Sequence, residues 1–332
     1  MRAIVLTGPH RVEVVHDWPE PRPAEGEVLV GIRSVGLCGS DLGVHEGHRV
    51  TPRLPWVMGH EGGGEIVAVG AGVTGRHVGQ RVVVEPNYSC FACRPCRDGL
   101  TSACTGRGIV GMNIPGLLAE RVAVPARFAW PVPDTVSDET LACIEPLAVA
   151  RAAVRRAGVR AGDECLVVGA GSQGLFVCQA LLALGARPYV VEPIPGRLSL
   201  AERIGAKRAD AGTGDFRLVF DTAGTPATWD ISLRSAAAAG VVVMIGMGDE
   251  PVQLSTMELA RRQLVLRGSL IYDHPHDFAE TVAAVVDGAV RPAQVLHAGA
   301  APAAAADAFA RARSAPGKSW IDLSGWQEDR DA

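Results

Sequence analysis

The spacing of apolar and polar residues changes part-way along this chain. Before about residue 148 the apolar runs are short and mostly alternate with polar residues, a pattern typical of β-strands. Residues 3–6 and 12–15 flank a Gly8-Pro9 turn and predict a hairpin, and residues 27–34 predict a half-buried strand. The segment 36–41 that follows lacks this period and is predicted to be a loop.

After about Val149 the pattern predicts helices that alternate with buried strands. Apolar runs at 165–168, 189–191, 218–220 and 240–246 are separated by helical patterns such as 175–184. This alternation is typical of a parallel sheet covered by helices. Only twelve residues separate Gly205 from Leu218, so we expect a shortened edge of the sheet. Residues 261–269 predict the strand that leaves this part of the chain, and the alanine-rich tract 298–312 predicts a helix.

A glycine-rich turn follows the first of these buried runs. It consists of Gly169, Ala170, Gly171, Ser172, Gln173 and Gly174. The first glycine permits a tight turn, the second lets the backbone approach a pyrophosphate, and the third lets the helix pack closely on the strand. Glu192 ends the next strand, where its carboxylate can accept hydrogen bonds from an adenosine ribose. Strand, turn, helix and acid together predict a dinucleotide site, although glycines alone also mark ordinary turns.

Bulk composition excludes several classes of function. The chain has 332 residues, 48% of them hydrophobic, a net charge of −4 and a pI near 6.1, which gives no indication of nucleic-acid binding. No apolar run approaches the roughly 20 residues that span a bilayer, and the first residues lack the apolar stretch of a signal peptide. We therefore expect a cytoplasmic protein without membrane partners.

The eight cysteines suggest metal rather than disulfides in such a protein. Cys90, Cys93, Cys96 and Cys104 have the spacing C-x2-C-x2-C-x7-C, and four thiolates on short loops can close a tetrahedral zinc shell. A redox pair and an iron–sulfur cluster are the alternatives. Cys38, His60 and Glu61 offer a thiolate, an imidazole and a carboxylate, the mixed set that suits catalytic zinc. An isolated His-Glu pair would otherwise be a surface feature.

These motifs, taken in order, resemble one family. Cys38-Gly-Ser-Asp, Gly59-His60-Glu61, the cysteine run, residues 144–148 (Ile-Glu-Pro-Leu-Ala) and the Gly169 turn are similar to those of zinc-containing medium-chain dehydrogenases/reductases. The resemblance is greatest to the polyol, sorbitol and threonine dehydrogenase branch of this alcohol dehydrogenase superfamily. It implies an α/β fold: a GroES-like β-rich catalytic domain, 1–148 with 271–332, and a Rossmann doubly wound domain, 149–270.

The resemblance also implies roles for individual residues. Cys38, His60 and Glu145 would hold the catalytic zinc, with Glu61 as a fourth or exchanging ligand, unless Glu145 merely caps a helix. Asp41 would orient the zinc-bound imidazole. Ser40 would take the alcohol proton first, unless it is an ordinary loop hydroxyl. The remaining residues expected near the cofactor are Arg197, Ala223 and Gly246.

Two departures from the family pattern concern function. A histidine usually lies five residues after the zinc cysteine and passes the proton to solvent, but this position is Gly43. Either His45 substitutes, or water or His48 completes the relay. Ile271 replaces an arginine that sorbitol dehydrogenases commonly use to hold the polyol, so sorbitol itself is in doubt.

The sequence predicts an oxidoreductase that transfers hydride between a polar secondary alcohol and NAD, with two Zn²⁺ per chain. Polyols, cyclitols and aminocyclitol-like alcohols are the favoured substrates. An L-threonine 3-dehydrogenase-like or general secondary-alcohol dehydrogenase is the alternative, followed by a zinc-free quinone or enoyl reductase and a non-catalytic NAD-binding protein. Family resemblance suggests a homodimer or homotetramer.

Overall fold

The computed structural model describes residues 1–331 and divides into two compact units. The first unit contains Met1–Glu145, His274–Val286 and the chain from Leu296 onward; the second contains Pro146–Asp273 and Asp287–Val295. The domain limits expected from the sequence, 1–148 with 271–332 and 149–270, stay a proposal, and Ala332 lies outside the described residues.

The elements of the chain up to the second unit are mostly strands. They are β1 Ala3–Gly8, β2 Arg11–Val15, β3 Glu27–Gly36, α1 Gly39–His45, β4 Trp56–Val57, β5 Glu61–Val69, β6 Arg81–Val84, β7 Asn87–Tyr88, α2 Arg94–Arg97, β8 Gly108–Ile109, β9 Arg121–Pro125, β10 Ala129–Pro131 and α3 Asp138–Ala157. Short 3-10 helices cover Thr101–Ala103 and Ala126–Phe128.

The rest of the chain alternates helix and strand before it returns to the first unit. The elements are β11 Glu164–Val168, α4 Ser172–Ala183, β12 Arg187–Val191, α5 Pro195–Arg203, β13 Lys207–Arg208, β14 Phe216–Asp221, α6 Pro226–Ser235, β15 Ala236–Met244, α7 Thr256–Arg262, β16 Val265–Gly268, α8 His276–Val286, β17 Leu296–Ala300, α9 Ala305–Ala312, β18 Lys318–Asp322 and α10 Ser324–Asp331. Two further 3-10 helices cover Pro292–Val295 and Pro302–Ala304.

The first unit is built around one large sheet with the order β10-β6-β5-β3-β18-β17, and β9 also pairs with β3. The predicted hairpin forms β1 and β2, which join β4 in a small sheet. Strand β3 was predicted to be half-buried, but it is buried on both faces for most of its length. The reason is that other parts of the unit cover both faces of this central strand. The first unit is thus β-rich, as expected for the catalytic domain.

The second unit contains a parallel sheet of six strands among the described residues, with the order β13-β12-β11-β14-β15-β16. Strand β11 lies in the middle of this sheet, and β12 and β14 pair with its two opposite edges. Ligands of such doubly wound sheets bind at the carboxyl ends of the strands, at the point where the strand order reverses. The end of β11, where the glycine-rich turn begins, is that point.

Of three local predictions, the structure confirms one and changes two. The expected short edge is confirmed, since β13 has only two residues. Residues 261 and 262 do not belong to the exit strand: they end α7, and Gln263 takes the left-handed conformation that closes this helix. The alanine-rich tract is helical only from Ala305, because the 3-10 turn at Pro302 and strand β17 precede it. None of the helices described in residues 1–331 is long and apolar enough to cross a membrane.

Candidate active site

Cys38, His60 and Glu61 lie together at one end of the first unit's main sheet. Cys38 follows β3 at the N-terminus of α1, and Glu61 begins the neighbouring strand β5. One potential ligand atom from each residue lies within 4.8 Å of the others. Gly59 makes the turn before His60 and Glu61 possible. Its φ is +89°, and a Cβ there would lie 2.8 Å from a methyl group of Val35.

Asp41 fixes the orientation of the His60 ring. Its fully buried carboxylate accepts hydrogen bonds from the backbone N–H of Cys38 at 3.0 Å and of Gly59 at 3.1 Å, and lies 3.2 Å from His60 Nδ1. His60 Nε2 is therefore the ring nitrogen left to bind a metal ion. The Ser40 hydroxyl oxygen lies 3.4 Å from this nitrogen. The predicted loop, 36–41, is only partly a loop: residues 39–41 form the first turn of α1, whose N-terminus is held in place by the Asp41 bond to Cys38.

The electrostatics of this pair favour positive charge at His60. Burial alone would raise the pKa of Asp41, but the charge and hydrogen bond of His60 outweigh burial and lower it. Burial would likewise lower the pKa of His60, yet Asp41 raises it well above its ordinary value. A metal ion bound at Nε2 would take the place of that proton, so metal binding here releases a proton.

A zinc ion fits this donor set, because thiolate, imidazole and carboxylate are its usual protein ligands. Glu145 is buried, and the Asn87 amide nitrogen lies 3.5 Å from its Oε1. It is not one of the three residues whose ligand atoms converge. It lies inside α3 rather than at either end, which excludes the helix-cap alternative. Its role as a zinc ligand stays a prediction.

The four clustered cysteines converge on a second point in the first unit. Their sulfur atoms all lie within 4.8 Å of one another, with Cys104 Sγ 3.5 Å from Cys90 Sγ and 3.9 Å from Cys93 Sγ. A tetrahedral shell with Zn–S bonds of about 2.3 Å places its sulfurs about 3.8 Å apart. Backbone hydrogen bonds from Cys96 and Thr105 lower the pKa of Cys93 to about 6. The group therefore fits a structural zinc ion. Its geometry gives no specific support to a redox pair or to an iron–sulfur cluster.

The glycine-rich turn of the second unit has the backbone that a pyrophosphate requires. Gly169 has φ +94°, and a Cβ on Gly174 would lie 2.0 Å from the Gly169 carbonyl oxygen. A Cβ on Gly171 would meet nothing within 4 Å, so this residue borders open space that a ligand can enter. Helix α4 begins at Ser172, and Gln173 donates a hydrogen bond to the Pro146 carbonyl at 3.3 Å. The turn fits a dinucleotide phosphate at a helix N-terminus.

Glu192 ties this turn to the end of β12. Its carboxylate accepts from the backbone N–H of Ala170 at 2.7 Å and of Ile194 at 2.9 Å. Each carboxylate oxygen can accept more than one hydrogen bond, so the side chain can also bind ribose hydroxyls. Arg197 lies on α5, in the segment that follows.

Two residues at the end of β14 were not among the predicted site residues. Buried Asp221 ends β14 and accepts from the backbone N–H of Ala223 at 3.0 Å and of Gly224 at 2.8 Å. Thr222 donates to the Gly169 carbonyl at 2.9 Å. A Cβ on Gly246 would lie 2.4 Å from the Ala223 carbonyl carbon, so the two loops touch through a glycine. An acid at the end of an apolar run was the available signal for Asp221.

His45 does not lie next to Ser40 in the structure, although the sequence analysis considered it as the next group of the relay. It is the last residue of α1, and its ring lies 5.1 Å from the rings of both His10 and Phe309, measured between centroids. His45 comes five residues after Ser40 in α1, so the two side chains point about 140° apart around the helix axis. Burial, followed by the charge of His10, lowers the pKa of His45. The side chain of Arg49, not His45, lies beside Gly43, 3.6 Å from where its Cβ would be. This packing does not by itself support His45 as the next group of the relay, and its role stays a prediction.

Comparison with known proteins agrees with this geometry. Family models match at residues 24–134 (alcohol dehydrogenase GroES-like domain) and at residues 174–287 (zinc-binding dehydrogenase). The L-threonine 3-dehydrogenase of Pectobacterium carotovorum is 31% identical over 286 residues, which cover 81% of this chain and 83% of that protein. The chain belongs to the zinc-containing medium-chain dehydrogenase/reductase family. It is therefore an NAD(P)-dependent zinc alcohol dehydrogenase in the broad sense of that family.

Two solved structures share this fold over 97% of the chain. The rspB alcohol dehydrogenase of Escherichia coli CFT073, complexed with NADH, has a TM-score of 0.90 and 27% identity, covering 97% of this chain and 99% of that one. Galactitol-1-phosphate dehydrogenase from Escherichia coli has a TM-score of 0.88 and 26% identity, covering 97% and 100%. The expected pairing of a GroES-like with a Rossmann domain is thereby confirmed.

Proposed function

We propose that this protein is an NAD-dependent dehydrogenase that interconverts a polar secondary alcohol and its ketone. The observation that carries the proposal is the convergence of Cys38, His60 and Glu61, with Asp41 and Ser40 bonded around the same imidazole. A zinc-free reductase of this fold has no need of such a ligand set. A non-catalytic NAD-binding protein would not need the Ser40 hydroxyl beside the His60 ring.

Each residue of the site has a distinct task in this reaction. Cys38, His60 and Glu145, with Glu61 as a fourth or exchanging ligand, would hold a zinc ion, which would supply Lewis-acid polarisation of the substrate oxygen. Asp41 keeps His60 Nδ1 engaged and so directs Nε2 to the metal position. The Ser40 hydroxyl, 3.4 Å from Nε2, is close enough to that position to accept the alcohol proton.

The cofactor is proposed to be NAD, which accepts the hydride. Gly171 leaves space for its pyrophosphate beside the first turn of α4, where unpaired N–H groups favour phosphate. Glu192 would accept hydrogen bonds from the ribose hydroxyls and would disfavour a 2′-phosphate by charge repulsion. The NADH complex of the rspB enzyme supports this cofactor.

The substrate class is proposed from the site and its relatives. We favour a polyol, cyclitol or aminocyclitol-like alcohol, since a glutamate-ligated zinc site resembles those of enzymes that act on polar substrates. Galactitol-1-phosphate dehydrogenase supports a polyol. An L-threonine 3-dehydrogenase-like activity is the second candidate, on the strength of the Pectobacterium relative.

A substrate panel tests this assignment. Sugar alcohols, cyclitols, aminocyclitols and β-hydroxy amino acids are each offered with NAD, and NADH formation is followed by absorbance. Turnover of a polar secondary alcohol that needs the bound metal supports the proposal. Turnover that survives complete metal removal would assign the protein to the zinc-free reductases instead.

Assembly and location are part of the same proposal. We propose a homodimer or homotetramer in the cytoplasm, with two zinc ions per chain. Edge strand β16 supports self-association, because Val265 is 43% exposed there and nearby Met257 is 60% exposed. Exposed apolar side chains beside an unpaired strand edge are typical of interfaces. Light scattering of the purified protein measures the number of chains.

A further inference from the structure

The side chain of Arg49 packs on a buried glycine of α1. Its Cδ, Cγ and Nε atoms lie 3.6, 3.7 and 3.7 Å from the position that a Cβ on Gly43 would occupy. The backbone N–H groups of His48 and Arg49 both donate to the Gly43 carbonyl, at 2.9 and 3.1 Å. The loop after α1 therefore folds back onto the helix, and the absence of a side chain at Gly43 leaves room for the stem of Arg49.

Gly43 and Ser40 share one face of α1. Three residues separate them, so their side-chain directions differ by about 60° and their positions by about 4.5 Å along the helix axis. The Ser40 hydroxyl is 3.4 Å from His60 Nε2, the ring nitrogen left to bind a metal ion. Arg49 therefore covers the side of the helix that carries Ser40, nearly one turn beyond it.

The guanidinium group of Arg49 is exposed and forms no hydrogen bond or ion pair with the side chains that the structure describes. Glu46 is the one acid in residues 46–54. Its carboxylate accepts hydrogen bonds from Arg313 and lies 3.4 Å from His48 Nδ1. The stem of Arg49 is thus held against α1, while its five N–H donors remain available to a ligand.

The metal ligands leave no surplus positive charge for an anionic substrate. The Cys38 thiolate and the Glu145 carboxylate would balance the two charges of a zinc ion, and buried Asp41 is a further anion. Lys318 and Glu61 form a buried ion pair that adds no net charge. A carboxylate or phosphate on the substrate therefore needs another cation. Guanidinium is suited to both, because it can donate two parallel hydrogen bonds to either.

We propose that Arg49 is a specificity-determining residue that binds the anionic end of the substrate. The substrates are then secondary alcohols that also carry a carboxylate or a phosphate, such as aldonic acids and phosphorylated polyols. These are preferred over neutral polyols and cyclitols and over cationic aminocyclitols. The alcohol oxygen lies at the metal position and the anion at Arg49, so the two contacts select which hydroxyl faces the metal. This inference rests on the proposed function and narrows its substrate class.

Steady-state kinetics of Arg49→Gln tests the proposal with matched alcohols. Sorbitol and galactitol are offered with NAD beside gluconate and galactonate, in which a carboxylate replaces one terminal CH2OH group, and beside sorbitol 6-phosphate. The wild type should have the higher kcat/KM with the anionic compounds. Arg49→Gln should lower the ratio of anionic to neutral kcat/KM by about 10–100-fold, the usual effect of losing a hydrogen bond to a charged group. A purely structural role would lower both values equally and leave the ratio unchanged, which would overturn the proposal.

Two further variants separate charge from packing. Arg49→Lys keeps the positive charge and should retain most of the preference for anions. Arg49→Glu reverses the charge and should favour aminocyclitols over the aldonic acids, since like charges repel. A preference for aldonic acids that survives in Arg49→Glu would contradict the assignment.

Arg53→Gln is the matched control. Arg53 lies four residues later in the same loop, is exposed, and its guanidinium likewise has no partner among the described side chains. This variant removes the same charge from the loop, so its ratio of anionic to neutral kcat/KM should stay at the wild-type value. An equal fall in both glutamine variants would show that the net charge of the loop attracts anions, and would exclude a specific role for Arg49.

Chemical modification of the wild type needs neither turnover nor a variant. Phenylglyoxal reacts with accessible guanidinium groups, and peptide mass spectrometry measures Arg49 and Arg53 separately in one sample. With NADH present, so that no alcohol is oxidised, gluconate or galactonate should protect Arg49 as its concentration rises. Sorbitol and galactitol should not, and Arg53 should react at the same rate throughout.

The two measurements fail in different ways. Modification of Arg49 at the same rate with the aldonic acids as with the hexitols would overturn the anion site, whatever the enzyme oxidises. Protection of Arg49 by the aldonic acids supports the anion site even where no alcohol of the wider substrate panel reduces NAD. That absence of turnover would instead refute the proposed dehydrogenase function.

Discussion

Glu192 shows, at the scale of single residues, how one carboxylate can serve both the fold and the cofactor. It accepts from two backbone N–H groups, of Ala170 and Ile194, and so holds the glycine-rich turn against the end of β12. The sequence predicted the position of this acid but not its bonds to the backbone. These depend on the conformation of two loops, which no local pattern encodes.

Glu192 should also make the enzyme prefer NAD over NADP. In Glu192→Gln the amide oxygen can still accept one backbone hydrogen bond, but the charge that repels a 2′-phosphate is lost. We expect the efficiency with NADP to rise at least about tenfold relative to that with NAD, since like-charge contacts are costly. Steady-state kinetics with both cofactors measures the change. Equal efficiency with NAD and NADP in the wild type would show that Glu192 does not select, and Arg197→Gln tests whether Arg197 neutralises the phosphate.

The proton relay is the second question at this scale. Because the His45 ring packs against His10 and Phe309, we expect His45→Ala to leave the pH dependence of kcat unchanged. Ser40→Ala, the control, should lower kcat at every pH. A fall of His45→Ala activity at neutral pH, recovered at alkaline pH or by added small bases, would instead establish His45 as the relay.

At the scale of elements, α1 is stabilised by tertiary contacts more than by its sequence. Two of its seven residues are glycines, which disfavour helix, and this is why the sequence pattern predicted a loop. Buried side chains and the Asp41 bond to Cys38 hold the helix. Glu46, the residue directly after α1, also accepts two hydrogen bonds, at 2.8 and 2.5 Å, from Arg313, the residue directly after α9.

This pair predicts a pH-dependent contribution to stability. The hydrogen bonds from Arg313 lower the pKa of Glu46 below its ordinary value. The contribution is therefore complete above the pKa of the unfolded state and is lost as the pH falls through the folded-state value. Arg313→Ala should cost about 0.2–1 kcal/mol at neutral pH, as usual for an exposed pair, and nothing in strong acid. Denaturant unfolding at both pH values measures it; an equal loss at both would exclude the ion pair as the cause.

The four-cysteine lobe is the other element with a separable role. Cys93→Ser should open the zinc shell and lower the melting temperature, because structural zinc contributes folding free energy. Cys178→Ser is a control, since Cys178 is buried in α4 and is not in the metal group. Metal content and thermal unfolding are measured for both variants. Loss of one zinc from the control, or of none from Cys93→Ser, would contradict the assignment.

At the scale of the whole molecule, the sequence predicted the features that depend on hydrophobic periodicity and on residue spacing. The parallel sheet followed from short apolar runs separated by helical patterns, and the cysteine group from its spacing. The approach of Lys318 to Glu61 could not be predicted, because it depends on how β5 and β18 pair with opposite sides of β3. The strand predicted over 261–269 begins too early by comparison with β16. Arg261 and Arg262 give no local signal that separates the end of α7 from the start of this strand.

The central claim is that Cys38, His60 and Glu61 mark a catalytic zinc site distinct from the four-cysteine site. The most direct measurement is the metal content and NADH-forming turnover of Cys38→Ser beside the wild type. We predict two zinc ions per chain in the wild type. The variant should retain one zinc ion and the native fold but lose all measurable turnover. One metal ion or none in the wild type, or turnover retained by Cys38→Ser, would contradict the account.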